Sequence, residues 1–277
     1  MKIIRSFLAV IITMSLIAGC TVIHMETATS AKTADKKINL KAASDFILEL
    51  PESWKNNYVK KSSKNIKHGS YVTFYAKKCY KQAKQGWLFT IMRCKDDSYT
   101  DMPSYEFVGK WNGYNYIALF STDIQTIGVT EDAKKQYNQL VADSYEVPFS
   151  IKPVKNKRKG KGIYNASDFS LKMPDSWTNN YIVKKSKNNG EEISYVAFYA
   201  KKCYKQTKMG YLFSIGRYTD ESFRELPCYE MVGKWNGIYY VADFPTDVQF
   251  DESTKAAMKQ YQKLDKTVWE VARSIAP

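Results

Sequence analysis

Histidine is nearly missing from this chain: there are two in 277 residues, His24 and His68. A Ser-His-Asp or Cys-His mechanism needs a positioned base, and neither histidine lies in a segment patterned like a folded element. No Gly-rich phosphate loop, no His-Glu-x-x-His and no Cys-x-x-Cys occurs, so the common phosphate and zinc signatures are absent. No metal and no cofactor is expected. These absences point away from an enzyme and towards a module that binds.

What is present is the same unit twice. Phe74-Tyr75-Ala76-Lys77-Lys78-Cys79-Tyr80-Lys81-Gln82 returns unchanged as Phe198 to Gln206, an offset of 124. Val108-Gly109-Lys110-Trp111-Asn112-Gly113 returns at the same offset as Val232 to Gly237. A period this long exceeds the roughly 20–50 residues of solenoid repeats and matches a domain of about 100–150. Each copy is therefore expected to bury its own core. The stretch Lys60–Ser70, against Lys184–Ser194, differs most between copies and is rich in Ser, Asn, Lys and Gly. That composition reads as an exposed loop, where insertions are cheapest.

The N-terminus carries a different message. Lys2 and Arg5 precede an apolar run, Phe7 to Ile17, and small residues follow. A basic start, a short apolar core and small residues at the cut make a secretory signal. Its end, Ile17-Ala18-Gly19-Cys20, resembles the lipobox of bacterial lipoproteins. The resemblance implies cleavage before Cys20 and a diacylglycerol on its thiol; the alternative is an ordinary secreted protein. Two acyl chains suffice for stable attachment. The expected organisation is a signal peptide at 1–19, a lipidated cysteine and tether at 20–41, a first repeat at 42–151, a basic linker at 152–162 and a second repeat at 163–277. The expected location is the extracytoplasmic face of the cell membrane.

Net charge is +14. Lys152, Lys155, Lys157, Arg158, Lys159 and Lys161 fall in the linker with no acid among them. An exported chain rarely meets nucleic acid, so nucleic acid is not an expected partner. Anionic headgroups or phosphate-rich wall polymers are the candidates; a solvated linker kept soluble by charge is the alternative. Beyond Cys20, Cys94 matches Tyr218 and Cys228 matches Ser104, so the copies share no disulfide framework. Mostly unpaired thiols are expected, with a Cys79–Cys203 bridge left open.

Within a unit, Phe46, Leu48 and Leu50 alternate like a half-buried strand. Further strands are predicted at Tyr71–Ala76, Trp87–Arg93, Tyr105–Lys110 and Tyr114–Phe120. Asn112-Gly113 and Asn236-Gly237 signal type I′ hairpins. Ala257, Tyr261, Leu264, Val268 and Val271 draw one apolar helical stripe. In the first copy Ala133, Tyr137, Leu140 and Val147 do so until Pro148. Thr130 and Ser253 are plausible N-caps. The fold class is α+β: two tandem homologous domains, each a mostly antiparallel sheet of about five strands with a C-terminal helix packed on it. The opening Phe-x-Leu-x-x-Pro-x-Ser-Trp is similar to the Mog1/PsbP-like sandwich, which implies a non-catalytic accessory or binding domain.

The candidate ligand-binding residues are the repeated basic and aromatic ones. Lys110-Trp111 and Lys234-Trp235 sit at hairpin tips. There an indole beside a cation could stack on a sugar or a membrane interface, or fold back onto its own sheet. Lys78 and Tyr80, with Lys202 and Tyr204, join two strands at one end of the unit, and Arg93 and Arg217 end the third strand. The expected partners are an anionic wall polymer, a glycan or another surface protein. A rival enzyme reading uses Glu106/Glu230 or Asp123/Asp247, whose Thr-Asp context reads as a turn. A third reading is a structural spacer.

Overall fold

The computed structural model describes residues 37–66, 69–155, 158–186, 194–250 and 254–277. Cys20, His24, His68, Lys157 and Ser253 lie outside the described residues. From residue 36 onward the chain forms one compact unit, an α+β structure dominated by antiparallel sheet.

In the first half, β3 (Tyr58–Ile66), β4 (Gly69–Ala76), β5 (Trp87–Cys94), β6 (Tyr105–Trp111) and β7 (Tyr114–Phe120) pair in the order β3-β4-β5-β7-β6. In the second half, β11 (Tyr181–Ser186), β12 (Tyr195–Ala200), β13 (Tyr211–Tyr218), β14 (Tyr229–Trp235) and β15 (Ile238–Asp243) pair as β11-β12-β13-β15-β14. β6 pairs antiparallel with β14, so all ten strands form one sheet. Asn112 and Asn236 take φ of 54° and 53°, followed by Gly113 and Gly237 at 72° and 74°. These are the two left-handed residues a type I′ hairpin requires.

The stretch expected as a loop at Lys60–Ser70 is instead mostly strand. β3 pairs with β4 from Tyr58↔Ala76 to Ile66↔Gly69, and β11 pairs likewise with β12. These are the two outer strands, where charged side chains blunt further pairing. Their Lys and Ser content hid the strand. Phe46–Pro51 (β2) does not enter the large sheet either. It pairs with Lys37–Lys41 (β1) and Lys152–Pro153 (β8) in a small sheet. In the second half, Ile163–Asn165 (β9) pairs with Ser170–Lys172 (β10). Lys37–Lys41, assigned to the tether by composition, is thus folded: Ile38 and Leu40 alternate with polar residues as a strand requires.

One face of the large sheet holds the main core. Phe74 and Phe89 stack at 4.7 Å across β4 and β5, and Phe198 and Phe213 at 4.7 Å across β12 and β13. Trp54 and Trp177, each in a single 3-10 turn, are fully buried on the same core. The helix Glu131–Ser144 (α2) lies against β4 and β5, and Thr130 caps it by accepting from the Ala133 amide. The single helix expected over 257–271 is broken into Lys255–Asp265 (α4) and Val268–Arg273 (α5). At the break, the Thr267 hydroxyl donates to the Leu264 carbonyl and accepts from the Trp177 indole. The opposite face carries a smaller cluster of Met92, Cys94 and Ile117 under Tyr99 and Met102.

Lys77–Ala83 (α1) and Lys201–Thr207 (α3) follow β4 and β12. Cys79 and Cys203 are buried and unpaired, each donating to a helix carbonyl in its own half, Ala133 and Ala257. Gly86 and Gly210 sit against them at φ of 87° and 92°; a methyl there would come within 2.6 Å of the cysteine Cβ. The possible Cys79–Cys203 bridge is therefore not formed: each thiol fills a niche in its own half.

Candidate functional site

Trp111 and Trp235 are not exposed hairpin tips. They are 0% and 2% exposed, folded back so that the indoles stack on Tyr116 at 3.6 Å and on Tyr240 at 3.8 Å. Glycine two residues earlier makes this possible. A Cβ on Gly109 or Gly233 would lie 2.3 Å from the indole of Trp111 or Trp235. Each indole thus lies flat over a bare backbone.

Beneath each stack is a carboxylate that sequence reasoning missed. Arg217 grips Asp168 through two hydrogen bonds of 2.8 and 2.7 Å, and the Tyr240 hydroxyl donates to the same carboxylate at 2.9 Å. Arg93 and the Tyr116 hydroxyl both donate to Asp45 at 2.7 Å. Burial pushes the Asp168 carboxyl up, but the Arg217 and Tyr240 hydrogen bonds outweigh it and hold the carboxyl below its usual range. Arg93 and Arg217, expected as ligand contacts, are thus committed to internal locks between the large sheet and the segments before β2 and β10. The paired Ser-Asp-Phe at 44–46 and 167–169 was the signal available for this.

Lys110 and Lys234 also turn inward to the junction. They face each other at the one register pair between β6 and β14. The Lys110 amine donates to the Met231 carbonyl at 2.9 Å, and burial pulls its pKa down. The Lys234 amine lies 4.5 Å from the Tyr239 ring centre and 5.4 Å from that of Phe107.

The candidates left open to solvent are at the outer ends of the sheet. Tyr80 carries the Lys61 amine 5.5 Å and the Lys84 amine 5.1 Å from its ring centre. Tyr204 carries Lys184 at 5.3 Å and Lys208 at 5.2 Å. Tyr75 and Tyr199 abut the same rings, at 4.8 and 5.0 Å. Lys78 is paired with Asp132, whereas Lys202 is exposed and its backbone amide donates to Gln260. Lys84 and Lys208 are the left-handed caps of α1 and α3, at φ of 56° and 63°. Glycine is the usual residue there, and a lysine costs about 1 kcal/mol more. A strained residue kept in both copies beside an aromatic ring is a hint of use. Sequence reasoning found Tyr80 and Tyr204 but not Lys61, Lys84, Lys184 and Lys208; Lys61 and Lys184 lay in the supposed loop.

The carboxylates of the enzyme reading are scattered. Glu106 accepts from the Tyr145 hydroxyl at 3.0 Å, and Glu230 is held by Arg273. Asp123 sits in a turn whose amide donates to the Ser121 hydroxyl, and Asp247 is exposed. Glu106 also edges an open groove of about 520 Å³ with Phe107, Phe223 and Tyr239, where the second acid, Glu221, is paired with Arg224. Among the described residues no His, Cys, Asp and Glu gather as a metal site would require, and no helix is long and apolar enough to cross a membrane. Comparison of the chain with protein-family models, with curated proteins and with solved structures finds no match.

Proposed function

We propose that the chain is a lipoprotein held by Cys20 at the outer face of the cell membrane, with two homologous α+β domains that bind an anionic surface polymer without transforming it. The observation that carries this reading is the paired Lys–Tyr–Lys arrangement: Lys61 and Lys84 about Tyr80, and Lys184 and Lys208 about Tyr204. Cations beside an aromatic face suit a chain of alternating anionic and sugar or polyol groups. The anions meet the ammonium groups, and C–H edges meet the ring. Two such clusters on one chain favour a repeating ligand through effective concentration. The Mog1/PsbP-like resemblance agrees with a non-catalytic role and rests on the Phe-x-Leu-x-x-Pro-x-Ser-Trp motif alone.

Retention of the protein on purified phosphate-containing wall polymer, compared with an uncharged glycan over rising salt, tests the reading. Salt-sensitive retention on the anionic polymer, lost when the four lysines are replaced by glutamine, is the expected result. Equal retention on the uncharged glycan would defeat it. Mass spectrometry of the mature N-terminus tests the anchor: a diacylglycerol on Cys20 is expected.

A further inference from the structure

Arg158, in the basic stretch between the two repeats, is half-buried and held through both terminal guanidinium nitrogens, donating to the Ser274 carbonyl and, at 3.2 Å, to the Asn112 side-chain oxygen. Those bonds tie Arg158 to the turn of the first hairpin and to the C-terminal end of the chain, beside a cleft of about 470 Å³. The volume falls in the range of small-ligand sites, about 300–1,000 Å³.

We propose that this cleft binds a small phosphorylated polyol. The lining is rich in cations: Lys155, Arg158 and Lys159 all border the cleft. Both lysines are exposed, and neither makes a hydrogen bond or ion pair with another described residue. Asn165 and Asn236 are also in the lining and bring neutral amides. Asp168, the one acidic side chain in the lining, is held by the two-pronged Arg217 contact. Lys155, Arg158 and Lys159 outnumber the lining's acids, Asp168 and the terminal carboxylate at Pro277, and leave it net positive. Phe169 and Trp235 supply aromatic lining. The two unpaired lysine amines, with the Arg158 charge in the same lining, suit a phosphate, whose several oxygens accept from more than one donor. The asparagine amides suit hydroxyl groups, and the aromatic rings suit the carbon chain.

Divergence between the copies supports a site in this half. Asn165 corresponds to Ala42 in the first repeat, which is buried. The amide that would read a hydroxyl is present only in the second. The cleft is distinct from the Lys–Tyr–Lys clusters, so the two readings stand or fall separately.

Calorimetric titration of the full chain in detergent with glycerol 1-phosphate, and with glycerol as the uncharged control, tests the proposal. Saturable binding of glycerol 1-phosphate and none of glycerol is expected. The Lys155→Gln/Lys159→Gln double variant removes only exposed, unpaired groups and should fold normally. It should weaken binding at least about tenfold, as expected for losing a charge-assisted hydrogen bond. Asn165→Ala should weaken it a few-fold. The Lys84→Gly/Lys208→Gly variant, altered only at the outer clusters, should bind as the parent does. Vesicles containing phosphatidylglycerol separate a free phosphate ester from a lipid headgroup. Absence of saturable glycerol 1-phosphate binding would overturn the proposal. So would binding unchanged by the double variant, or a dependence on Lys155 and Lys159 seen with the vesicles alone.

Discussion

Lys110 stands opposite Lys234 at the register pair that joins the two halves of the sheet. Like charges directly opposed are unfavourable, and the two side chains part company. One donates to the Met231 carbonyl; the other lies among the rings of Tyr239 and Phe107. Lys110→Ala leaves that carbonyl without its donor and is expected to cost about 1 kcal/mol. Lys234→Ala loses a cation–ring contact and should cost about 0.5 kcal/mol. Urea denaturation of both variants measures the difference, and the reverse order would contradict this account of the seam.

Gly109→Ala places a methyl 2.3 Å from the Trp111 indole. Overpacking of this kind costs about 1–3 kcal/mol, and the ring must lift from its strand. A red-shifted tryptophan emission with greater quenching by iodide is expected, and the same for Gly233→Ala. Unchanged quenching would show that the indole has room that the geometry denies it.

Asp168 and Arg217 lock β13 to the segment before β10, and their side chains are 32% and 17% exposed. Removing one partner of a well-buried pair costs about 3–5 kcal/mol; partial exposure lowers the expectation for Asp168→Asn to about 2 kcal/mol. The carboxyl's folded pKa is lowered. Its contribution is therefore fully present above the unfolded value of about 3.9 and disappears as pH falls through the lower folded value. Thermal melts from neutral to acid pH should show the parent losing stability over that window. The Asp168→Asn protein, already weaker at neutral pH, should lose less there.

Burial raises the thiol pKa of Cys79 and Cys203, and that of Cys94 to about 11. The thiolate is the reactive form. Iodoacetamide at neutral pH should therefore label Cys228, which is partly exposed, well before these three in the native protein. Peptide mass spectrometry reads the order directly, and all four should react once the protein is unfolded.

Lys84→Gly/Lys208→Gly separates folding from binding. Glycine relieves the left-handed strain at both caps, so each change should stabilise by up to about 1 kcal/mol. Retention on an anionic polymer should fall at the same time. A variant that is more stable and binds as before would remove these lysines from the proposed contact.

The strands with two-sided apolar patterns were readable from sequence because their side chains alternate between a buried and a wetter face. Asn112-Gly113 was readable because few residues accept its backbone angles. β3 and β11 were not, since an edge strand is stabilised by backbone pairing that leaves no apolar trace in Lys60, Lys61 or Ser62. The break at Thr267 was hidden for a related reason: a hydroxyl bonded to Leu264 interrupts the helix without interrupting the apolar stripe. For Trp111 two readings stood, exposure at a hairpin tip or folding back onto its own sheet; the second holds, and Gly109, two residues before it, held the clue. The roles of Arg93 and Arg217 depended on Asp45 and Asp168, 48 and 49 residues away, and spacing of that kind carries no local pattern.

The pairing of β6 with β14 gives the two halves a fixed separation. Nine inter-strand steps lie between β3 and β11; at about 4.8 Å each they amount to roughly 43 Å. The Lys–Tyr–Lys clusters beside these end strands cannot slide relative to each other as beads on a string would. A polymer gains from meeting both only if its charged groups recur in step with that interval, so the protein would act as a gauge of ligand length. Short oligomers would dissociate quickly, and chains that reach across both ends would stay.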